Sequence, residues 1–351
     1  MSTLRSGAER SAVPGTPEAG LGPIYVGGLD RSGKTTMAAF LASHPRIAIP
    51  PIGSNMETYF LDRFGDLGRP ENLERCMDAM LRYSHVRALG PDEDEIRGAF
   101  GRGPATYERL FSLFLIQYAD RQGKARWGAQ SGLVEAYADR LFASYEGLKV
   151  IHMVRDPRDR YEASLAMWPD GRGRAGAAAA RWRYSTRLAE QNRIRHPQDY
   201  LVVRFEDLVL RPEATLRSVC GFLGEVFVAE MLEMNDVPER RERLKARAAD
   251  EGQDGLLSDA FVGRFRGRVD PDELAFLQVQ LGRRMRRYGY TPEPVPMSPT
   301  ERLRFAVIEW PAQATRMTAW QTLELARRRW PAFAPRNPDP RTLDGGGGDD
   351  G

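Results

Sequence analysis

Residues 23–36 read PIYVGGLDRSGKTT, a short apolar run that ends in glycines and passes into a Lys-Thr pair at the head of a helical pattern. Gly28-Leu29-Asp30-Arg31-Ser32-Gly33-Lys34-Thr35 fits the phosphate-loop pattern G-x-x-x-x-G-K-[ST]. Such a loop needs a strand before it and a helix after it. Its glycines let the backbone wrap an anion with N–H groups turned inward, and the helix adds its positive end. Lys34 supplies a point charge and Thr35 a hydroxyl. The plain alternative is a glycine-rich turn joining strand to helix. Strand, helix, Lys and Thr together outweigh it.

A second anion site is readable at 148–164. LKVIHMV (148–154) is a continuous apolar run, as expected of a strand covered on both faces. Arg155 stands where it ends, followed by Asp156, Pro157, Arg158, Asp159, Arg160 and, two helical turns on, Ser164. A guanidinium and a hydroxyl so placed can hold one phosphate, such as a 3′-phosphate on ribose. The competing reading is a helix start in which Asp156 or Asp159 caps and the arginines face solvent. Two phosphate-reading elements in one chain point to a nucleotide with phosphates at both ends.

The remaining pattern places these motifs in an α/β fold. Helices are expected over 34–45, 55–64, 70–83, 106–122, 174–195, 211–224 and 270–290, with another following Pro157. Further short strands are expected within 46–51 and at 200–205. Alternation of buried strands and helices implies right-handed crossovers and a P-loop-type central parallel sheet, with helical insertions and a helical C-terminal extension. Ligands in such sheets lie at the carboxyl ends of strands, where both motifs fall. The expected organisation is a disordered tail at 1–20, one domain at 21–295, a helical extension at 296–331 and a disordered tail at 332–351. Residues 50–130 are expected to form a mostly helical lid over an acceptor. Their aromatic residues, Tyr59, Phe60, Phe64, Tyr83, Phe100 and Tyr107, suit a sugar or phenol site and equally a core.

Composition excludes several classes. A net charge of +3 is too small to argue for nucleic acid. Cys76 and Cys220 make neither a disulfide framework nor a zinc site, and His44, His85, His152 and His196 lack metal-ligand spacing, so no metal is expected. No stretch has the apolar length to span a bilayer, and residues 1–20 lack the apolar core of a secretory signal; a cytoplasmic location is the default. Trp310, Trp320 and Trp330 beside several arginines allow a membrane-surface or partner helix, against ordinary packing onto the domain. Oligomeric state is not readable.

The motifs together resemble the sulfotransferases that use 3′-phosphoadenosine 5′-phosphosulfate (PAPS). Arg31-Ser32-Gly33-Lys34-Thr35-Thr36 is similar to their 5′-phosphosulfate loop, and Arg155-Asp156-Pro157-Arg158…Ser164 to their 3′-phosphate motif. RWGAQSGLVEAY (126–137), YLVVRFEDLVLRPEATLRSVCGFLG (200–224) and VGRFRGRVDPDEL (262–274) resemble further family segments in the same order. Four departures stand out. Lys34 replaces a Thr, Gln130 stands where a Lys is common, Phe205 replaces a Tyr, and Ser164 lies one residue late, about 100° of helix.

The resemblance implies transfer of a sulfuryl group from PAPS to an acceptor hydroxyl or amine of a carbohydrate, lipid or small molecule. It implies nucleotide contacts from Gly28, Arg31, Ser32, Gly33, Lys34, Thr35, Thr36, Arg155, Ser164, Arg264 and Arg266, and charge neutralisation by Arg31 with Lys34. Glu57 and His85 are the candidate bases; an exposed helix-start glutamate and a surface histidine are their plainer readings. His152, inside a strand, reads as structural. The rival function is a P-loop kinase or NTPase, weakened because KVIHMVRD and YLVVRFED place Arg before the acid that would hold magnesium. A nucleotide-binding homologue without chemistry is the third reading.

Overall fold

The computed structural model describes residues 21–167, 174–235, 237–250 and 256–330; the tails at 1–20 and 332–351 fall outside the described residues. Five strands form one parallel sheet: β1 (Ile24–Gly28), β2 (Ile47–Ala48), β3 (Arg126–Gln130), β4 (Lys149–Val154) and β5 (Tyr200–Arg204), in the order β2-β3-β1-β4-β5. Helix α1 (Lys34–Ala42) follows β1. Between β2 and β3 lie α2 (Met56–Tyr59), α3 (Pro70–Arg82), α4 (Ser84–Arg87), α5 (Glu93–Phe100) and α6 (Tyr107–Arg121). Helix α7 (Val134–Ser144) joins β3 to β4, and α8 (Pro157–Met167) and α9 (Ala175–Arg195) lie between β4 and β5. Then come α10 (Phe205–Leu210), α11 (Pro212–Leu223), α12 (Pro238–Asp250) and α13 (Pro271–Arg287). Helix α14 (Pro299–Arg304) runs through a π-helical turn, Phe305–Glu309, into α15 (Trp310–Arg329).

Alternate residues of the strands feed two cores, one on each face of the sheet. Tyr25, Trp127, Ala129, Val150 and Tyr200 pack against α6 and the lid helices. Ile24, Val26, Ile47, Ile151, Met153 and Val203 pack against α1 and α11. A sheet covered on both sides explains why β1 and β4 read as unbroken apolar runs. Strand β3 does not read that way, because its sequence is RWGAQ. It is held instead by Arg126, whose buried guanidinium donates to the carbonyls of Gly22 (2.6 Å) and Leu223 (2.7 Å) and meets Glu225 at 3.2 Å. Gly128 admits the close approach, since a Cβ there would sit 2.8 Å from the Ile24 carbonyl oxygen.

Most expected helices form with shifted ends. Gly224, at φ 73°, closes α11, as a left-handed glycine cap should. The helix expected over 55–64 is only Met56–Tyr59, because Asp62 and Gly65 take positive φ and the chain turns away. Phe205 opens α10 rather than ending β5. The lid aromatics divide plainly: Phe60, Tyr83, Phe100 and Tyr107 are buried in the core, while Tyr59 and Phe64 are partly exposed.

Candidate functional site

The strand order places the crevice. Strand β1 lies between β3 and β4, while the chain runs from β1 outward to β2 and later crosses to β4, so the loop after β1 opens at the switch point of the sheet. Residues 29–33 form that loop. Gly28 and Gly33 take φ of 115° and 91°. A Cβ at Gly28 would lie 2.3 Å from the Met153 carbonyl oxygen, and one at Gly33 would lie 2.3 Å from the Phe205 ring. Arg31, also at positive φ (67°), tightens the turn, and Ser32 Oγ donates to the Leu29 carbonyl at 2.6 Å. Lys34, Thr35 and Thr36 open α1 behind it.

Lys34 is buried and its Nζ lies 2.6 Å from Asp30 Oδ1. The ammonium holds the Asp30 carboxyl down to about 2, so Asp30 stands as a carboxylate beside Lys34. Thr35 accepts a hydrogen bond from Gln130 Nε2 at 2.8 Å, which ties the loop to the end of β3.

The second motif reaches the first. Arg155 donates to the Arg31 carbonyl at 3.3 Å and to the Phe261 carbonyl at 2.8 Å, with its guanidinium 4.5 Å over the Phe205 ring. The arginines of the RDPRDR run therefore do not face solvent, while Asp156 Oδ1 does accept from the Arg158 N–H at 2.9 Å at the head of α8. Arg158 is clamped by Asp156 at 2.7 and 3.0 Å. Asp159 accepts from the backbone N–H groups of Gly263 (2.7 Å) and Phe265 (2.9 Å), which anchors the 262–268 segment beside Arg155. Arg160 is buried and its guanidinium is pushed down to about 10 by burial. Arg155 Nε and Arg160 Nε are buried donors without a hydrogen-bond partner, and Gln130 Oε1 is a buried acceptor without one. Unmet donors at the mouth of a glycine-walled loop fit an anionic ligand.

The other expected residues are placed as follows. Ser164, partly exposed on α8, donates back to the Tyr161 carbonyl at 2.7 Å. Arg264 pairs with Glu162 at 3.0 Å, and Arg266 lies outward against Glu293. Glu57 is 3% exposed and accepts from Tyr25 Oη at 2.7 Å and Ser131 Oγ at 2.9 Å. Burial pushes its carboxyl up. His85 Nδ1 lies 2.7 Å from the Gly53 carbonyl oxygen and 2.9 Å from Tyr83 Oη. A carbonyl can only accept, so Nδ1 carries the proton in that contact and Nε2 is the basic nitrogen of the neutral ring. His152 is buried in β4 against Tyr200 Oη at 3.1 Å, as its strand position predicts. Both base candidates lie near the end of β3: Glu57 accepts from Ser131, and His85 meets the carbonyl of Gly53, next to Ser54, whose N–H donates to the Gln130 carbonyl at 2.9 Å.

Sequence reasoning passed over Arg160, Arg181 and Asp30 as site residues. Arg181, exposed on α9, lies within the field of Asp30. The signal for Arg160 was present, five residues after Arg155; that for Arg181 was not, since its helix is joined to the site only by the fold. Among the described residues no group of His, Cys, Asp and Glu has the arrangement of a metal site, and no helix is long and apolar enough to cross a membrane.

A family model described as "Sulfotransferase family" matches residues 23–228. No curated protein matches the sequence. Among solved structures, the sulfotransferase domain of the Synechococcus PCC 7002 olefin synthase aligns at TM-score 0.50 and 20% identity, over 80% of this chain and 97% of that one. The sulfotransferase domain from the curacin biosynthetic pathway aligns at TM-score 0.50 and 17% identity, over 78% and 99%. At these identities the likeness concerns the fold. The matched family region ends before the 262–268 segment and before α13, α14 and α15.

Proposed function

The chain belongs to the sulfotransferase family, and from that premise we propose that it transfers the sulfuryl group of PAPS to an acceptor hydroxyl or amine. The observation that supports this choice of donor is the hydrogen bond from Arg155 to the Arg31 carbonyl, which joins the strand-end arginine to the glycine loop. A donor with phosphate at its 3′ position and phosphosulfate at its 5′ position has the matching charges. PAPS brings an activated sulfuryl group and leaves as the 3′,5′-bisphosphate (PAP).

In this reading the backbone N–H groups of 31–36 hold the 5′ end. Lys34 exchanges its Asp30 partner for the bridging oxygen on which charge develops, with Arg31 assisting. Arg155, Ser164, Arg264 and Arg266 serve the 3′ end, and Arg160 adds an unmet donor between the two. The acceptor oxygen forms its bond to sulfur as the bond from sulfur to the bridging oxygen breaks, and the acceptor proton passes to a base. Glu57 is the proposed base, acting directly or through the Ser131 hydroxyl that donates to it. Its raised pKa brings it nearer to working pH. His85 is the second candidate, because the Gly53 carbonyl orients its ring. A small-molecule, glycan or lipid acceptor would enter beneath the lid helices α2–α6.

The test is direct. Purified protein, with magnesium chelated, is incubated with PAPS labelled on sulfur and a pool of phenols, sterols and sugars. Label should move into an acceptor with stoichiometric release of PAP. Transfer of the γ-phosphoryl group of ATP, dependent on magnesium, would assign the chain to phosphoryl chemistry instead.

A further inference from the structure

Helices α14 and α15 form a layer laid across α9. Gly176 permits it, since a Cβ there would lie 2.0 Å from the Gln313 carbonyl oxygen, and its N–H donates to Gln313 Oε1 at 2.9 Å. Met317 enters the core beside Trp182, and Trp320 sits edge-on to Tyr184. The inner face of α15 is thus satisfied. The outer side carries large apolar groups among exposed threonines and arginines. Of the twelve exposed large apolar side chains among the described residues, seven fall between 303 and 330: Leu303, Val307, Ile308, Trp310, Leu323, Leu325 and Trp330. Scattered exposed apolar residues need no explanation, but a cluster on one layer does.

Basic side chains outnumber acidic ones on this layer, six arginines to three glutamates (Glu301, Glu309 and Glu324) between 299 and 330. Arg302, Arg304, Arg316 and Arg329 are exposed on it. Beside it lies a groove of about 400 Å³ lined by Arg183, Arg187 and Arg284 together with Tyr184, Trp320 and Leu325. Arg183 and Arg187 are exposed, and the charged groups acting on Arg183 are Arg284 and Arg187, both of its own sign. Most of the acids nearby are engaged: Glu324 faces Arg327 at 3.9 Å, Glu190 meets Arg284 at 2.7 Å, Asp272 binds Arg304, and Glu301 caps α14.

We propose that the α14–α15 layer, with the arginine groove beside it, is a docking surface for a bilayer containing anionic phospholipid. Apolar side chains and tryptophans would enter the headgroup boundary while the arginines meet lipid phosphates. A second copy of this chain is the less favoured occupant, because a two-fold interface would set the same arginines against one another.

Vesicle sedimentation of the full chain tests this independently of the sulfotransferase reading. Binding is expected to phosphatidylcholine vesicles holding roughly a third phosphatidylglycerol, weak or absent for phosphatidylcholine alone, and reduced by salt. Each arginine near such a surface is worth about fivefold in binding, so Arg183→Glu with Arg187→Glu should lower it at least tenfold. Val307→Glu with Ile308→Glu should do likewise, with circular dichroism and melting unchanged. Should that second pair fail to fold, the arginine pair carries the test. No binding to anionic vesicles, or binding that neither pair alters, overturns the proposal. So does an outcome in which Val307→Glu with Ile308→Glu converts a dimer to a monomer in sedimentation velocity, which would make this face a contact between copies.

Discussion

Lys34→Ala is expected to slow sulfuryl transfer by about 10²–10³, the usual loss when one preorganised donor to a developing anion is removed. The ammonium stands at the head of α1 inside the glycine loop, buried, and its partner Asp30 is the only carboxylate the loop itself contributes. The substitution strands no buried charge, because the Asp30 side chain is 58% exposed and can be solvated. Melting should therefore hardly move while kcat falls. Arg31→Ala is the companion variant, with a smaller loss expected. Steady-state rates for both decide the matter: if neither variant changes kcat, the loop binds without participating in the chemistry.

Glu57→Gln is expected to lower kcat by about 10²–10⁴ and to leave PAP affinity within about twofold, as for loss of a general base. Burial raises the Glu57 carboxyl, so the native kcat should climb with pH through that raised value and then level, and the variant should lose the climb. A stability readout has its own sign. A carboxyl with a raised folded-state pKa favours folding on the acid side, and that contribution is lost as pH rises through the folded value. The melting temperature of Glu57→Gln should thus gain on that of the native chain as pH rises from the ordinary carboxylate range through the raised folded value. Full activity in the variant moves the base to His85, and His85→Gln should then lower kcat instead.

The parts of the molecule legible in the sequence are those whose physics is local. The loop at 28–35 declares itself because only glycines fit at 28 and 33, next to the Met153 carbonyl and the Phe205 ring. Strands β1 and β4 declare themselves through burial on both faces, and α11 through its closing glycine. Strand β3 was not legible as a strand. It carries one large apolar side chain, and what keeps it in the sheet is a buried arginine satisfied by carbonyls about a hundred residues away. Yet β3 is the element on which both base candidates and Thr35 converge. The truncated α2 escaped for a similar reason, since its end is set by positive φ at Asp62 and not by a breaker residue. Arg181 and Glu324 reach the site's surroundings only because α9 and α15 cross. Residues whose partners are distant in sequence carry no local signal of their role.

The central claim is that one crevice reads both phosphate ends of a nucleotide. It is tested most directly by calorimetric binding of PAP and of AMP with magnesium chelated, to the native chain and to Arg155→Ala. The two ligands differ only by the 3′-phosphate, and a charge-assisted contact there is worth roughly 1.5–3 kcal/mol. The native chain should therefore prefer PAP by about tenfold or more. Arg155→Ala should erase most of that preference while AMP binds as before, since the loop at 28–36 is untouched. Equal affinity for PAP and AMP in the native chain, or tight binding of ATP that requires magnesium, would contradict the account.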